Sequence, residues 1–217
     1  MNSLTLSPKF IDTLTQILVN DLPGFEGQQV MMPAGRPVIM PELSEFKNLK
    51  PAAVLIALFE ANGTEWRFPL IQRVEDGLAH SGQIALPGGR LEVGETVEMA
   101  ALREAEEEIG LDSSSVTVIG NLSPLPIPVS GFLVHPVVGV LTHEPIWRPQ
   151  RGEVETVFTV SVSDLMDEAK RATEVRHFRE QPFTVPYFHF EPYKVWGATA
   201  MILSEFDHLL QRLTTLI

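Results

Sequence analysis

The stretch that most limits the fold of this chain is "GGRLEVGETVEMAALREAEEEIGL", residues 88–111, where a glycine pair precedes a run rich in carboxylates. Glycines let the backbone turn sharply and approach a ligand closely. Helical spacing then extends from Glu95 to Ile109, and Gly110 occupies the position of a C-cap glycine. The segment therefore predicts a tight loop leading into a helix whose acidic face needs an explanation.

The predicted helix has an apolar sector and an acidic sector. A helix turns by about 100° per residue, which groups three apolar side chains: Leu102, Ala105 and Ile109. The same count places three carboxylates on the opposite face: Glu104, Glu107 and Glu108. Glu106 falls outside this set. We therefore expect an acidic face directed away from the core, in which Glu106 has no part.

This acidic face has two interpretations. Consecutive glutamates on an acidic protein commonly form a solvated helix face. Like charges at this spacing, however, destabilise a helix, and Mg²⁺ binds between carboxylates and substrate phosphates. The glycine turn and Arg103, which can orient a carboxylate by a charge-assisted hydrogen bond, favour the metal site.

The motif from Gly89 to Leu111 reads G-x5-E-x7-R-E-A-x-E-E-x-G-L. This spacing resembles the signature of the Nudix hydrolases at every fixed position. Ala105 is smaller than the aliphatic residue usual at its place. The resemblance implies an α/β fold, a Nudix-type α/β/α sandwich around a mixed β-sheet, here with an N-terminal helical extension. It also implies hydrolysis of a nucleoside diphosphate linked to another group.

The resemblance assigns roles to the motif residues. It implies that Glu104 and Glu108 bind Mg²⁺ or Mn²⁺, that Glu107 assists, and that the backbone carbonyl near Gly88 completes the metal shell. A metal-activated water would attack phosphorus.

The remaining predicted catalytic residues support the glutamates. By the same resemblance, Arg103 holds a glutamate in place and Glu95 supports the loop and helix. Glu153 and Glu155 lie where Nudix enzymes often carry a further catalytic carboxylate, and of the two we favour Glu153. The alternative for both is an exposed strand edge.

A segment before the motif narrows the substrate. Together with Arg73, "HSGQIALPGG" (80–89) resembles the extra motif of the coenzyme A (CoA) pyrophosphatase branch. Four positions match: Gly82, Pro87, Gly88 and Gly89. Three positions depart from it: Val74 replaces a serine, Leu78 a second arginine and Leu86 an aromatic residue. Segments 22–24, 123–136 and 195–203 also resemble that branch.

The predicted reaction is therefore cleavage of CoA or a derivative to 3′,5′-ADP and 4′-phosphopantetheine. The substrate-binding candidates are Arg73, His80, Gly82, Gly88 and Gly89. His80 is equally compatible with an ordinary polar surface residue. An ADP-ribose or other nucleoside-diphosphate pyrophosphatase is the alternative within the family. A catalytically silent binding or sensor module is the alternative outside enzymes, and the complete glutamate set disfavours it.

Charge and cysteine content exclude several other classes. The net charge of −12, from 16 basic and 28 acidic residues, argues against nucleic-acid and anionic-membrane partners. The absence of cysteine excludes disulfides, thiolate metal sites and a cysteine nucleophile. The N-terminus lacks the features of a signal peptide and no apolar run is long enough to span a bilayer, so we expect a cytoplasmic protein.

The remaining sequence predicts how the chain is organised. A helix begins at Ser7-Pro8 and ends at residues 22–24, and an ordered connector follows to residue 50. We expect residues 1–50 to pack on a main domain at 51–217 and to offer a surface for a homodimer. The predicted strands are 52–60, 66–73, 116–122, 132–142, 154–160, 174–178 and 183–190. The predicted later helices are 161–169 and 198–213.

Overall fold

A computed structural model describes residues 8–34, 48–75, 82–178 and 181–216. The helices are α1 Pro8–Asn20, α2 Phe25–Gln28, α3 Val97–Ile109, α4 Val162–Met166 and α5 Gly197–Leu216. The strands are β1 Lys50–Ala61, β2 Glu65–Arg73, β3 Ile84–Ala85, β4 Gly88–Arg90, β5 Val116–Asn121, β6 Leu125–Ile127, β7 Phe132–Leu141, β8 Val154–Ser161, β9 Arg171–Phe178, β10 Gln181–Phe190 and β11 Tyr193–Trp196. Short 3-10 turns lie at Gln29–Met31, Ser113–Ser115 and Glu168–Lys170.

Strand β1 is the centre of the main sheet. It runs parallel to β7 along one edge and antiparallel to β4 and then β2 along the other. A strand covered on both faces reads as a continuous apolar run rather than an alternating one. The run at 52–60 therefore reflects a central position, with residues such as Leu55 and Ile56 both 0 % exposed on opposite faces.

The predicted hairpin between 52–60 and 66–73 is confirmed. Asn62 and Gly63 have φ of 51° and 67°, as a tight turn with both central residues in the left-handed region requires. The turn closes with a hydrogen bond from the Thr64 amide to the Ala61 carbonyl at 3.1 Å.

Helices cover both faces of the main sheet, which is the predicted α/β/α sandwich. Helix α3 packs on one face, in a cluster that includes Ala100, Ala101, Ala105 and Ile109. Helices α1 and α5 pack on the other, in a cluster that includes Phe10, Leu14, Phe206 and Leu210. The N-terminal helix is present, and its apolar side lies within the second cluster because Phe10, Leu14 and Leu18 recur at helical spacing.

A second, smaller antiparallel sheet has the order β11-β10-β9. Its strand β11 leads directly into α5, and Thr199 at the start of that helix donates to the Ile84 carbonyl in β3 at 3.2 Å. This contact joins the small sheet to the segment that precedes the glycine pair. The division into 1–50 and 51–217 stays a prediction.

Candidate active site

Helix α3 has local signals at both ends. Thr96 caps the first turn by accepting a hydrogen bond from the Met99 amide at 3.3 Å. Gly110 ends the helix with φ of 67°, and the Leu111 amide bonds to the Ala105 carbonyl at 3.3 Å, as in a Schellman C-cap. The helix therefore begins two residues later than the predicted Glu95 and ends where predicted.

Glu108 corrects the predicted helix face. We expected it on the side away from the core, with Glu104 and Glu107, but only 2 % of its side chain is exposed. One carboxylate oxygen accepts the Gly88 amide at 2.8 Å and the other accepts Arg73 Nη1 at 3.1 Å. The glutamate thus lies between α3 and the ends of β2 and β4.

The alanines of α3 explain this correction. The prediction centred the buried face on Leu102, which is only partly buried, whereas Ala100, Ala101 and Ala105 are 0 % exposed. Small residues let a helix lie close to a sheet, and they move the buried sector toward Glu108. Counting the alanines as core positions would have found it.

Burial changes the protonation of Glu108. The pKa of this carboxyl is raised to about 7, mainly by desolvation, which disfavours the charged form, and in smaller part by the nearby Glu104 carboxylate. The Gly88 amide and Arg73 act in the opposite direction because they stabilise the anion. In the metal-free protein Glu108 is therefore poised to lose a proton near neutral pH.

Glu104 lies against the second glycine of the pair. A methyl group on Gly89 would overlap the Glu104 carboxylate, and one on Gly88 would overlap the Ala53 carbonyl and Val54 in β1. Desolvation raises the pKa of Glu104. Close approach to the sheet therefore requires glycine at position 88, whereas at position 89 the neighbour is the carboxylate end of the Glu104 side chain.

Arg103 braces the loop and the acidic helix together. Its Nε and Nη2 form a bidentate pair with Glu95 at 2.7 and 3.0 Å, and Nη2 also reaches the Arg90 carbonyl at 3.0 Å. Its Nη1 donates to Glu104 at 2.9 Å and to Glu107 at 3.1 Å. The side-chain geometry thus agrees with the positioning role that the resemblance implies.

Glu95 connects Arg103 to the loop after β4. Hydrogen bonding from Arg103 lowers the pKa of Glu95, and the Glu92 amide, which donates to it at 2.8 Å, lowers it further. The carboxylate therefore stays ionised and ties the loop after β4 to the middle of α3.

Two exposed carboxylates extend the cluster. Glu107 has 54 % of its side chain exposed, and Glu153 is exposed in the turn just before β8. Desolvation is the main cause that raises the pKa of Glu104, and the negative charges of Glu107 and Glu153 act in the same direction. Glu104, Glu107, Glu108 and Glu153 therefore form one set of mutually repelling charges, whereas Glu106 accepts a hydrogen bond from Ser113 at 2.7 Å outside it.

Only some of the predicted substrate-binding residues lie beside the glutamates of α3. Arg73 and Gly88 contact Glu108 directly, and Gly89 lies against Glu104. Gly82 has φ of 68° and its amide bonds to the Val74 carbonyl at 3.3 Å, so it shapes the turn rather than reaching Glu108. His80, like Leu78, lies outside the described residues.

The residues present suit a divalent cation in their chemistry. Within the described ranges, no three His, Cys, Asp or Glu side chains converge closely enough to hold a metal, and arginines neutralise the glutamates instead. The set nevertheless offers oxygen donors only, as hard divalent cations prefer, and a cation would relieve the repulsion between Glu104 and Glu108. The role of the Gly88 carbonyl stays a prediction.

Sequence reasoning missed a second buried carboxylate, Glu205 in α5, which is 0 % exposed. It accepts the amides of Gly24 and Ser123, both at 3.1 Å, and Gln28 Nε2 at 2.8 Å. Its signal was an acidic residue within the apolar run "AMILSEFDHLL" (200–210) of the last helix.

The fold and the acidic cluster define a class: an α/β/α sandwich that presents a glycine turn and a carboxylate-bearing helix side by side. The profile of the NUDIX domain matches residues 49–181, more than half of the chain. This chain belongs to the Nudix family.

Individual relatives agree with this assignment. Nudix hydrolase 15, mitochondrial, of Arabidopsis thaliana is 38 % identical over 161 residues, which cover 71 % of this chain but 56 % of that protein. A Salmonella newport relative, named uncharacterized Nudix hydrolase NudL, is 33 % identical over 180 residues, which cover 77 % of this chain and 87 % of the relative.

A crystal structure of the Nudix hydrolase RenU from M. smegmatis has the same fold. It aligns with a TM-score of 0.51 at 19 % identity, over 77 % of this chain and 87 % of the other.

No helix in the described part of the chain is long and apolar enough to cross a membrane.

Proposed function

We propose that this chain is a Mg²⁺- or Mn²⁺-dependent pyrophosphohydrolase that cleaves the diphosphate of CoA or a CoA derivative to 3′,5′-ADP and 4′-phosphopantetheine. Family membership supports hydrolysis of a nucleoside-diphosphate compound. The CoA substrate is the finer part of the proposal and has separate support.

One observation carries the hydrolytic part. The carboxylates of Glu104 and Glu108 lie on one helix against the backbone of Gly89 and Gly88, and the charge on Glu104 raises the pKa of Glu108. Two carboxylates whose charges repel beside a glycine backbone offer oxygen ligands that a divalent cation would stabilise. This arrangement supports a site for a metal-bound diphosphate.

We assign the following roles to the chain's residues. Glu104 and Glu108 would hold the cation, with Glu107 assisting and Glu153 close to the attacking water. A bound divalent cation supplies charge neutralisation on the phosphoryl oxygens and an acidified water. Arg103 keeps Glu104 oriented, and its pairing with Glu95 fixes the loop beside the reacting phosphate.

Two observations support CoA as the substrate. Leu86, which replaces the aromatic residue of the CoA-branch motif, is 3 % exposed, so the side chain at that position packs in the core. The resembling segments 22–24 and 123–136 also meet at Glu205, through Gly24 and Ser123. Glu205 lies in α5, the helix that begins within the third such segment, 195–203. The three segments therefore pack together.

ADP-ribose or another nucleotide sugar is the alternative substrate class. Leu78 stands where the CoA-branch motif has its second arginine, and loss of that cation weakens the case for a substrate with an additional phosphate. A silent binding module is the remaining alternative.

Product analysis decides among them. Purified protein is incubated with Mg²⁺ or Mn²⁺ and CoA, acetyl-CoA, ADP-ribose, NADH or diadenosine polyphosphates, and products are separated by chromatography. We expect 3′,5′-ADP from CoA. Cleavage of ADP-ribose with intact CoA would refute the substrate assignment, and no turnover of any compound would favour the binding module.

A cytoplasmic location and a small-molecule nucleotide partner, without nucleic acid or membrane, belong to the same proposal. A homodimer with a surface from residues 1–50 also stays a prediction. Light scattering coupled to size-exclusion chromatography measures it directly, and a monomeric mass at working concentration would exclude it.

A further inference from the structure

Arg73 contacts a catalytic carboxylate rather than standing apart as a substrate ligand. It is the last residue of β2, and its Nη1 donates to Glu108 at 3.1 Å. Resemblance to the CoA branch gives this arginine a substrate-binding role. The observed contact points to an additional role, exerted through Glu108.

The backbone holds Arg73 from both sides. Its amide bonds to the Gln83 carbonyl at 3.0 Å, and on the other edge it pairs with Val154 of β8, where the register shifts by one residue and skips Glu155. Such a bulge redirects side chains at the end of a strand. The Arg73 side chain therefore starts from a fixed point beside α3.

The two oxygens of Glu108 are held by different elements. Gly88 in β4 binds one and Arg73 in β2 binds the other, so the carboxylate plane is fixed between two strands. Removing Arg73 would leave this side chain, 2 % exposed, free to rotate about its bond to Gly88.

We propose that Arg73 is a positioning residue that orients Glu108 for metal binding, an inference that rests on the proposed function. A guanidinium has five donors and 36 % of the Arg73 side chain is exposed. Its outer edge can therefore reach an anionic ligand while its inner edge holds Glu108.

The test compares R73Q with R67Q, a matched arginine on the same strand. Arg67 bonds to Glu65 and Thr159 near the opposite end of β2. Mn²⁺ binding to the protein without substrate is followed by electron paramagnetic resonance. We expect R73Q to weaken Mn²⁺ binding by about tenfold, the lower range for loss of a residue that orients a metal ligand, and R67Q to leave it unchanged.

Turnover separates this role from a purely substrate-binding one. R73Q should lower kcat, whereas loss of a substrate contact alone would raise KM and leave Mn²⁺ affinity at the wild-type value. That second result would overturn the inference while the proposed function stands. Wild-type protein that binds no Mn²⁺ would overturn both.

A double-mutant cycle tests the contact without any metal. In EDTA, R73Q should lower the melting temperature of the wild-type protein but not that of E108Q, because the two residues act as one pair. Equal losses in both backgrounds would also overturn the inference.

Discussion

Among the residues that the structure describes, two glutamates are buried, in opposite kinds of surroundings. Glu108 shares its pocket with an arginine and with the charge of Glu104, whereas Glu205 is surrounded by uncharged donors from Gly24, Ser123 and Gln28. Desolvation is the main cause that raises the pKa of both. Burial alone therefore does not separate a reactive carboxylate from a structural one.

Their partners do separate them. Glu205 joins the segment before α2, the segment before β6 and helix α5, so its hydrogen bonds hold distant parts of the chain together. Glu108 meets a like charge, a condition that costs free energy and that a cation would relieve. The comparison supports the proposal that Glu108 belongs to a cation site, whereas Glu205 holds the fold together.

The largest expected effect is on catalysis at Glu108. E108Q should lower turnover at least about 100-fold, because loss of a metal ligand has a larger effect than loss of a residue that only orients a ligand. Product formation with Mg²⁺ measures the change, and E106Q is the control because Glu106 bonds to Ser113 outside the cluster. Near-wild-type turnover in E108Q would remove Glu108 from the metal site.

The second effect is on stability at Glu205. In E205Q the new amide group would face backbone donors, and each buried donor left unsatisfied costs about 1–3 kcal/mol. Urea unfolding measures the loss, with E26Q on exposed Glu26 as the control. The E205Q protein that remains folded should keep its turnover. A catalytic defect as large as that of E108Q would refute the structural role assigned to Glu205.

The third effect is the pH dependence of stability in metal-free protein. The pKa of Glu108 is near 7 when folded, against an ordinary 4.5, so the folded state binds this proton more tightly. The resulting stability is complete below pH 4.5 and is lost as pH rises to 7, at up to about 1.4 kcal/mol per pH unit.

E108Q removes this proton. Its free energy of unfolding minus that of wild type should therefore increase between pH 4.5 and 7, by on the order of 2–3 kcal/mol. Glu205 shifts in the same direction but is present in both proteins, so its contribution cancels. Denaturant unfolding in EDTA at several pH values measures the difference, and parallel curves would contradict the prediction.

The smallest effect is on stability at Glu107. Its ion pair with Arg103 at 3.1 Å lies at a side chain that is 54 % exposed, and exposed pairs contribute about 0–1 kcal/mol. E107Q should therefore unfold almost as wild type does while losing less turnover than E108Q. A thermal melt and the same product assay check both. A stability loss as large as that of E205Q would contradict the expectation that this exposed ion pair contributes little.

Much of the fold was predictable because its signals are local. The turn at Asn62-Gly63, the C-cap at Gly110 and the apolar run of β1 each depend on neighbouring residues. The short strands β3 and β4 were not predicted because two or three residues, two of them glycines in β4, are too few for a strand pattern. Their pairing with β2 and β1 depends on distant partners.

The candidate site divides in the same way. The family resemblance implied that Arg103 holds a glutamate and that Glu95 supports the loop, and in the structure Arg103 donates hydrogen bonds to both Glu95 and Glu104. Helical geometry alone put Glu108 on the wrong face, because the depth of a helix face depends on how closely its alanines approach the sheet.

The sequence by itself determined the family and singled out the residues proposed for its chemistry, since the motif is a fixed spacing within one loop and one helix. Only the tertiary structure decided that Arg73 meets Glu108, and that Glu205 joins segments about 180 residues apart. The physical reason is that burial and ion pairing arise between distant parts of the chain, which no local pattern records.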